Sequence, residues 1–256
     1  MRVAVCCKGV PVDLPLESVS VVNGDVHFKG VDFYINEYDA YAVEAALYLK
    51  NTYKAETVAL TLGPLRVQEV LYIALAKGID QVFRIEGETN RSELIASGLI
   101  PALKAINPQL ILAGAQSEDW MSGEVGVYLS MALDMGLAFG VIEICELKET
   151  HVRIKKEVGS GRKEEVILKL PAILCVQSGI QPLRYLSAMK RQKARNNPIK
   201  LWGSLNIEEA KHALSGMTAY EIREVSPPSQ EGHAEMITGD RSEMAAKLIE
   251  IISSRV

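Results

Sequence analysis

Short apolar runs without polar alternation recur along the first two-thirds of the chain, and an amphipathic stretch follows each. Strands that are buried on both faces have this continuous apolar character, because helices cover both sides of a parallel sheet. The pattern predicts strands at 2–7, 57–62, 81–85 and 110–114, alternating with helices at 38–50, 65–77, 91–106 and 123–135. The predicted fold class is therefore α/β, a parallel sheet with helices on both faces.

Three local signals refine this pattern. Asn23-Gly24 separates the apolar runs 18–22 and 25–28, and this dipeptide is a strong β-hairpin signal. Asn36 precedes the first predicted helix and is expected to cap it. Pro101 falls inside the predicted helix 91–106, where its missing N–H predicts a kink or an early end.

The pattern changes after Gly140. Strand-like runs at 141–147, 151–158, 165–169 and 172–177 follow one another, which predicts antiparallel strands added to the parallel sheet. From Gln181 the chain is polar and basic with little periodicity, until an amphipathic helix at 242–252. We expect an α/β part with added antiparallel strands at residues 1–180, and a polar segment with a C-terminal arm that ends in a helix at residues 181–256.

Composition and missing motifs exclude several function classes. A net charge of −4 does not fit the concentrated basic surface of a nucleic-acid-binding protein, and no run approaches the ~18 apolar residues of a membrane span. The four cysteines are not spaced for a metal site or a disulfide framework, so we expect no metal and a reducing, cytoplasmic setting. The sequence lacks the phosphate-loop, GxGxxG, GxSxG and HExxH motifs, and self-contained catalysis is unsupported.

A glycine-containing loop indicates a binding site. Residues 114–119 follow a predicted strand, and residues 123–126 open a predicted helix. Ligands of open α/β sheets bind at the carboxyl ends of strands where the strand order reverses, and the N–H groups of a helix start attract phosphate. The strand ends at 6–11 and 61–64 and the segment 36–39 should converge there. The pattern predicts a nucleotide site, although a plain strand–loop–helix connection would need the same glycines.

These segments resemble the electron transfer flavoprotein β subunit family. The similar stretches, in order, are VAVCCKGVP at 3–11, INEYDAYAVEAA at 35–46, Gly63-Pro64, the loop 114–126, Leu170-Pro171-Ala172, Arg184-Tyr185 and Pro198-Ile199. This ordered set covers most of residues 1–200 and is more specific than any single motif. The nitrogen-fixation-associated and carnitine-type branch is the most similar.

The resemblance implies an electron carrier subunit and not an enzyme. It implies a heterodimer with an α subunit that carries the redox-active FAD, shuttling electrons between dehydrogenases and a quinone or ferredoxin-linked acceptor. It also implies a flavodoxin-like domain in this chain that binds AMP or a second FAD. A dehydrogenase or a quinone reductase would be the redox partner.

The family's functional residues carry over to two sets of positions. The nucleotide site would comprise Cys6, Asn36, Glu37, Tyr38, Asp39, Leu62, Gly114, Ala115, Gln116, Ser117, Glu118, Asp119, Gly123, Glu124, Val125 and Gly126. The partner-docking segment would comprise Arg184, Tyr185, Leu186, Ser187, Ala188, Met189 and Lys190.

Departures from the family's pattern leave the ligand and the partner open. Glu37 stands where the family usually has proline, Glu124 stands where it has glutamine, and Ala188 stands where it has an anchoring leucine. Two other functions are considered: a stand-alone adenine-nucleotide-binding module of the stress-protein kind without flavin, and a nicotinamide-dependent oxidoreductase. The residues beyond 180 disfavour the first, since such a module needs only about 150 residues, and the absent glycine fingerprint disfavours the second.

Overall fold

A computed structural model describes residues 1–12, 18–22, 25–213, 234 and 236–254. The strands are β1 (Arg2–Cys6), β2 (Gly9–Pro11), β3 (Val19–Val22), β4 (Asp25–Phe28), β5 (Phe33–Ile35), β6 (Glu56–Leu62), β7 (Gln81–Glu86), β8 (Leu110–Gly114), β9 (Gly136–Leu147), β10 (His151–Glu157), β11 (Lys163–Lys169), β12 (Ala172–Val176) and β13 (Lys200–Ser204). The helices are α1 (Glu37–Tyr53), α2 (Glu69–Lys77), α3 (Ser92–Ile106), α4 (Val125–Leu133), α5 (Ala188–Arg195), α6 (Ile207–Ala213) and α7 (Arg241–Ser253). The chain divides into two compact units, Met1–Val225 and Ser226–Val256.

Within the described residues, nine strands form the main sheet in the order β11-β10-β9-β12-β8-β1-β6-β7-β13. In sheet order, every neighbouring pair from β9 through β12, β8, β1, β6 and β7 to β13 is parallel. Strand β10 pairs antiparallel with both β9 and β11. The predicted fold class is confirmed: the sheet is mostly parallel, carries helices on both faces and has added antiparallel strands.

Each face of the sheet has its own apolar core. On one face, Val5 and Leu112 pack with helices α1 and α2. On the other face, Leu60 and Ile111 pack with α3 and α4. Successive residues of a strand point to opposite faces, so a strand between two helix layers is apolar at every position.

The prediction that 172–177 is an antiparallel strand is wrong. Strand β12 lies between β8 and β9 and is parallel to both. All five of its residues are buried, as expected for a parallel strand covered on both faces.

The prediction of little regular structure after Gln181 is wrong for three elements, α5, β13 and α6. Strand β13 pairs with β7 at the edge of the main sheet, and the Trp202 and Phe83 rings meet edge to face at 5.0 Å. Helix α5 buries Ala194 and packs on α2. The predicted C-terminal helix is observed as α7, which begins with a capping box of Asp240 and Glu243. Residues 214–233 of the predicted arm lie outside the described residues.

Two local predictions have different outcomes. Strands β3 and β4 pair antiparallel as the hairpin signal predicts, although Asn23-Gly24 itself lies outside the described residues. Pro101 does not end helix α3, which continues to Ile106. Pro101 is exposed, and Leu99 and Leu103 on either side of it are buried, so packing maintains the helix across the missing N–H.

None of the described helices has the length and apolar character needed to cross a membrane.

Candidate functional site

A cleft opens at the carboxyl ends of β1, β6 and β8. Strands β6 and β7 lie on one side of β1, and β8 and β12 lie on the other, so the strand order reverses at β1. The chain passes from β1 towards α1 on one face of the sheet, and from β8 to α4 on the other. The cleft holds about 1120 Å³ of empty space, part of it open to solvent.

The structure brings most of the predicted nucleotide-site residues together in this cleft. Those that line it are Cys6, Asn36, Asp39, Leu62, Gly114, Gln116, Ser117, Asp119, Gly123, Glu124, Val125 and Gly126. The remaining four, Glu37, Tyr38, Ala115 and Glu118, do not line it. Three of them hydrogen-bond around the cleft: the Tyr38 hydroxyl accepts from Gln116 Nε2 at 3.3 Å, the Glu118 N–H donates to Asn36 Oδ1 at 3.1 Å, and the Glu37 N–H donates to Glu118 Oε2 at 3.4 Å. The Ala115 N–H donates to Val176 O, at the end of β12, at 2.9 Å.

Asn36 fixes the loop after β8. Its Nδ2 donates to Gln116 O at 2.9 Å, and its Oδ1 accepts from the Glu118 N–H at 3.1 Å. The side chain is buried and makes no cap bond to α1, so the predicted capping role is wrong. Its Oδ1, the atom that a cap would use, accepts from the loop instead.

Asp39 joins the ends of β1 and β8. Its Oδ2 accepts from the Lys8 N–H at 2.8 Å, and its Oδ1 accepts from the Gly114 N–H at 2.8 Å. Burial raises the pKa of this carboxyl to about 6, although the two N–H donors and Asn36 act to lower it. The carboxylate therefore fixes the separation of the two strand ends that form the floor of the cleft.

Lys8 lines the cleft; its segment 6–11 was predicted to converge there, but Lys8 was not among the predicted site residues. Its Nζ donates to Asp119 Oδ1 at 2.6 Å and to Ser117 Oγ at 3.2 Å. Asp119 would place a negative charge where a phosphate is expected, and the ammonium group of Lys8 balances that charge. The available signal was its position directly after a buried strand.

The far end of the cleft was also missed. It is lined by Val26 and Phe28 of the β3–β4 hairpin, with Phe33, Arg66 and Asn90. The Phe28 and Phe33 rings meet edge to face at 6.0 Å, and Asn90 Nδ2 donates to Val26 O at 2.7 Å. The Asn90–Val26 contact spans 64 residues of sequence, so no local pattern could indicate it.

Two glycines shape the start of helix α4. Gly123 has a φ of +65°, and a Cβ there would lie 2.7 Å from Ala115 O. A Cβ on Gly126 would lie 2.3 Å from Cys175 Sγ. Gly126 was predicted as a place where backbone approaches a phosphate, and the structure adds close packing of α4 on β12 as a second requirement.

The cysteines of this region are not poised for chemistry. Burial raises the pKa of the Cys6 and Cys175 thiols to about 12 and raises the pKa of Cys7 as well. The nucleophilic form is the thiolate, so these side chains act as small apolar groups at neutral pH. No three His, Cys, Asp or Glu side chains among the described residues form a group that could hold a metal ion.

The predicted docking residues form one continuous surface segment. Tyr185 and Met189 are 90% and 83% exposed, and Leu186 packs against the core. Ser187 caps α5 by accepting from the Lys190 N–H at 3.4 Å, and Ala188 begins that helix.

Comparisons with known proteins agree with one another. The sequence pattern of the family described as "Electron transfer flavoprotein domain" matches residues 25–205. The chain is 30% identical to an electron transfer flavoprotein subunit beta of Methylophilus methylotrophus over 233 residues, 86% of this chain and 85% of the relative. It is 28% identical to the Caffeyl-CoA reductase-Etf complex subunit CarD of Acetobacterium woodii, over 97% of both chains. It is also 28% identical to an electron transfer flavoprotein subunit beta of Bacillus subtilis, over 93% of both chains.

Asp39→Asn should destabilise the protein in a pH-dependent way. Near pH 4 the wild-type carboxyl is protonated but still offers an oxygen to each N–H donor. The amide offers one oxygen and turns an NH2 group towards the other donor, so the free energy of unfolding should fall by about 1–3 kcal/mol. The wild-type carboxyl has a raised pKa, so its contribution is present below its ordinary pKa and is lost as the pH rises through about 6. The difference between the two proteins should therefore shrink by up to about 3 kcal/mol by pH 7, measured by urea unfolding.

The matched control is Asp32→Asn, because Asp32 is an exposed aspartate of the same unit. Its effect on the free energy of unfolding should be small. An Asp39→Asn effect that does not change with pH would contradict the assignment of Asp39.

Gly126→Ala should cost about 1–3 kcal/mol of stability through overpacking against Cys175. Adding Cys175→Ala removes the colliding sulfur and should recover most of that loss, measured by thermal unfolding of both single variants and the double variant. If the double variant shows the sum of the two single losses, close packing is not what requires glycine at this position.

Proposed function

The chain belongs to the electron transfer flavoprotein β subunit family, and on that premise we propose that its cleft binds an adenine nucleotide. The family and the relatives' names make it an electron carrier subunit that pairs with an α subunit, and not an enzyme. A stand-alone nucleotide-binding module is therefore not favoured.

The convergence of three different chemical surfaces in one cleft carries this proposal. Val125 and Gly126 open helix α4 at the cleft, and the first N–H groups of a helix have no partner within it and attract phosphate. Leu62, Val67 and Leu99 supply apolar surface for a purine ring. The Ser117 hydroxyl and the Gln116 amide supply hydrogen-bonding groups for a ribose.

The contacts of Asn36, Asp39 and Lys8 favour a site that is formed before the ligand arrives. Each of these side chains fixes the loop after β8 or the strand ends beside it. Preorganised groups do not have to be ordered on binding, so more of the interaction energy contributes to affinity.

AMP is the first candidate, and a second FAD is the other. The cleft extends past the polar loop to Phe28 and Phe33, and this aromatic end offers surface for a ring system beyond an adenosine. The relative that is named as a subunit of a Caffeyl-CoA reductase-Etf complex supports assembly of this chain with further redox proteins.

The redox-active FAD of the family, which we assign to the α subunit, supplies the electron-transfer chemistry when it is bound. This chain's contribution is then to hold its own nucleotide, to bind the α subunit and to present residues 184–190 to a redox partner. A dehydrogenase or a quinone reductase as that partner and a cytoplasmic location are part of the same proposal. The division into a nucleotide-binding part, residues 1–180, and a docking part, residues 181–256, belongs to this proposal as well.

Mass spectrometry of the denatured α–β complex should find one adenine nucleotide per β chain in addition to the flavin of the α subunit. Asn36→Ala should weaken nucleotide binding about 10- to 100-fold, because the loop loses two hydrogen bonds to a buried side chain. Asn51→Ala, which removes an exposed amide from the other end of α1, should retain the nucleotide. A complex that contains flavin but no additional adenine nucleotide would refute the assigned role of the cleft while leaving the family intact.

The C-terminal unit should contribute to α-subunit binding. Helix α7 has no buried residue, and Leu248, Ile249 and Ile252 are 49%, 64% and 55% exposed at the i, i+1, i+4 spacing of one helix face. Removing residues 226–256 should weaken α-subunit binding at least tenfold while the thermal unfolding of the first unit is retained. A larger truncation, after Trp202, would be uninformative because it cuts strand β13. Unchanged affinity of the chain ending at Val225 would show that this helix is not part of the interface.

A further inference from the structure

Glu44 of helix α1 is a buried carboxylate held by two cations. Only 3% of its side chain is exposed. Its Oε1 accepts from Lys77 Nζ at 2.5 Å and from the Arg184 N–H at 3.1 Å, and its Oε2 accepts from Arg184 Nε at 2.6 Å. Lys77 is itself only 9% exposed. A charge in such a place persists only when its partners satisfy it, so both cations are fixed by this one group.

Arg184 is the first residue of the proposed docking segment. Glu44 binds both its backbone N–H and its guanidinium group, and Lys77 Nζ also approaches the Arg184 carbonyl oxygen at 3.5 Å. The main chain at residue 184 is therefore held from both of its polar sides. The contact spans 140 residues of sequence, so it connects the docking segment directly to helix α1, which follows Asn36 and contains Asp39 in its first turn.

A second ion pair fixes the end of helix α5, beyond the docking segment. Arg195, the last residue of α5, donates from Nε and Nη2 to the two carboxylate oxygens of Glu69 at 3.1 and 2.9 Å. Between these two fixed ends, Tyr185 and Met189 are the most exposed apolar side chains of the segment. Large apolar groups in this position serve as contacts for a protein partner.

We propose that Glu44 is a positioning residue for redox-partner docking: it fixes Arg184 and thereby the direction in which Tyr185 projects. This inference rests on the proposed docking role of residues 184–190. Glu44 touches no partner itself and acts through the shape of the segment. The surface so formed fits a protein with an apolar recess that receives Tyr185 and acidic groups around it.

The outward-facing lysines on and beside the docking segment indicate that the partner has acidic groups around its recess. Within the described residues, Lys190 and Lys193 are exposed and make no ion pair, whereas Arg184 and Arg195 are paired with Glu44 and Glu69. Exposed charges of this kind steer association and lose their effect as salt screens them. Positioning and steering therefore depend on different residues and can be measured separately.

The first measurement uses four variants in the full α–β complex. Arg184→Lys keeps the charge and leaves the Glu44–Lys77 pair intact, but an ammonium cannot reproduce the fixed Nε contact. Glu44→Gln is the partner substitution, and Arg184→Lys also serves if Glu44→Gln fails to fold. The double variant completes a mutant cycle. Arg2→Lys is the control, because Arg2 makes a comparable but exposed pair with Glu56.

Hydrogen exchange of the peptide that covers residues 184–187 is the first measurement. Arg184→Lys and Glu44→Gln should each raise its exchange rate about tenfold or more, without a matching rise in strands β1 and β8. The double variant should exchange no faster than the faster single variant, and Arg2→Lys should leave this peptide unchanged. An unchanged exchange rate in Arg184→Lys would overturn the inference.

Reduction of the complex by a purified flavin-containing dehydrogenase that is its electron donor is the second measurement. Arg184→Lys should lower the second-order rate constant about tenfold at every salt concentration, because geometry and not net charge has changed. Lys190→Gln with Lys193→Gln should lower it at low salt only. Tyr185→Ala tests the docking segment itself. If Tyr185→Ala slows electron transfer and Arg184→Lys does not, the positioning role is wrong; if neither slows it, the docking segment is wrong and the inference fails with it.

Discussion

One buried carboxylate, that of Asp39, receives the N–H groups that end two different strands, and the shape of the cleft depends on that sharing. The donors belong to Lys8 and Gly114, which lie beyond β1 and at the end of β8, where the chain turns to opposite faces of the sheet. The same contact explains why residue 114 is glycine, since a Cβ there would lie 2.6 Å from Asp39 Oδ1. The Asp39 carboxylate therefore both binds the N–H groups of the strand ends and requires glycine at position 114.

The parallel core was predictable from sequence because its signal is local. A strand such as β8, buried on both faces, needs apolar residues at successive positions whatever its neighbours are. The direction of β12 was not predictable in this way, because an apolar run of five residues fits either direction, and its pairing with β8 is decided by distant parts of the chain. Strand β13 is still harder to predict from sequence, because its residues KLWGS are mostly exposed. The contact that identifies it at the sheet edge joins Trp202 to Phe83, which are far apart in sequence.

The candidate site was also predictable from sequence only where its signal is local. The loop residues from Gly114 to Gly126 were found because they follow a strand and open a helix, which is a local pattern. The bonding of Asn36 to the loop was not predicted from sequence. A residue at the N-cap position can bond elsewhere when a nearby loop offers both a donor and an acceptor. Glu44 gave no signal at all. A glutamate within a helix is ordinary in sequence, and only the tertiary structure shows that it is buried between Lys77 and Arg184.

The basic residues after position 181 illustrate what tertiary context adds to composition. As a sequence they form one charged run, yet the arginines and the lysines have different surroundings. Arg184 and Arg195 bind carboxylates of α1 and α2, and Arg191 lies 5.8 Å from the ring centre of Tyr34. A planar guanidinium group suits such fixed contacts, and a flexible ammonium group suits a solvated surface. The arginines therefore determine the shape of this surface and the lysines determine its outward charge, so a partner would recognise two properties that are set by separate residues.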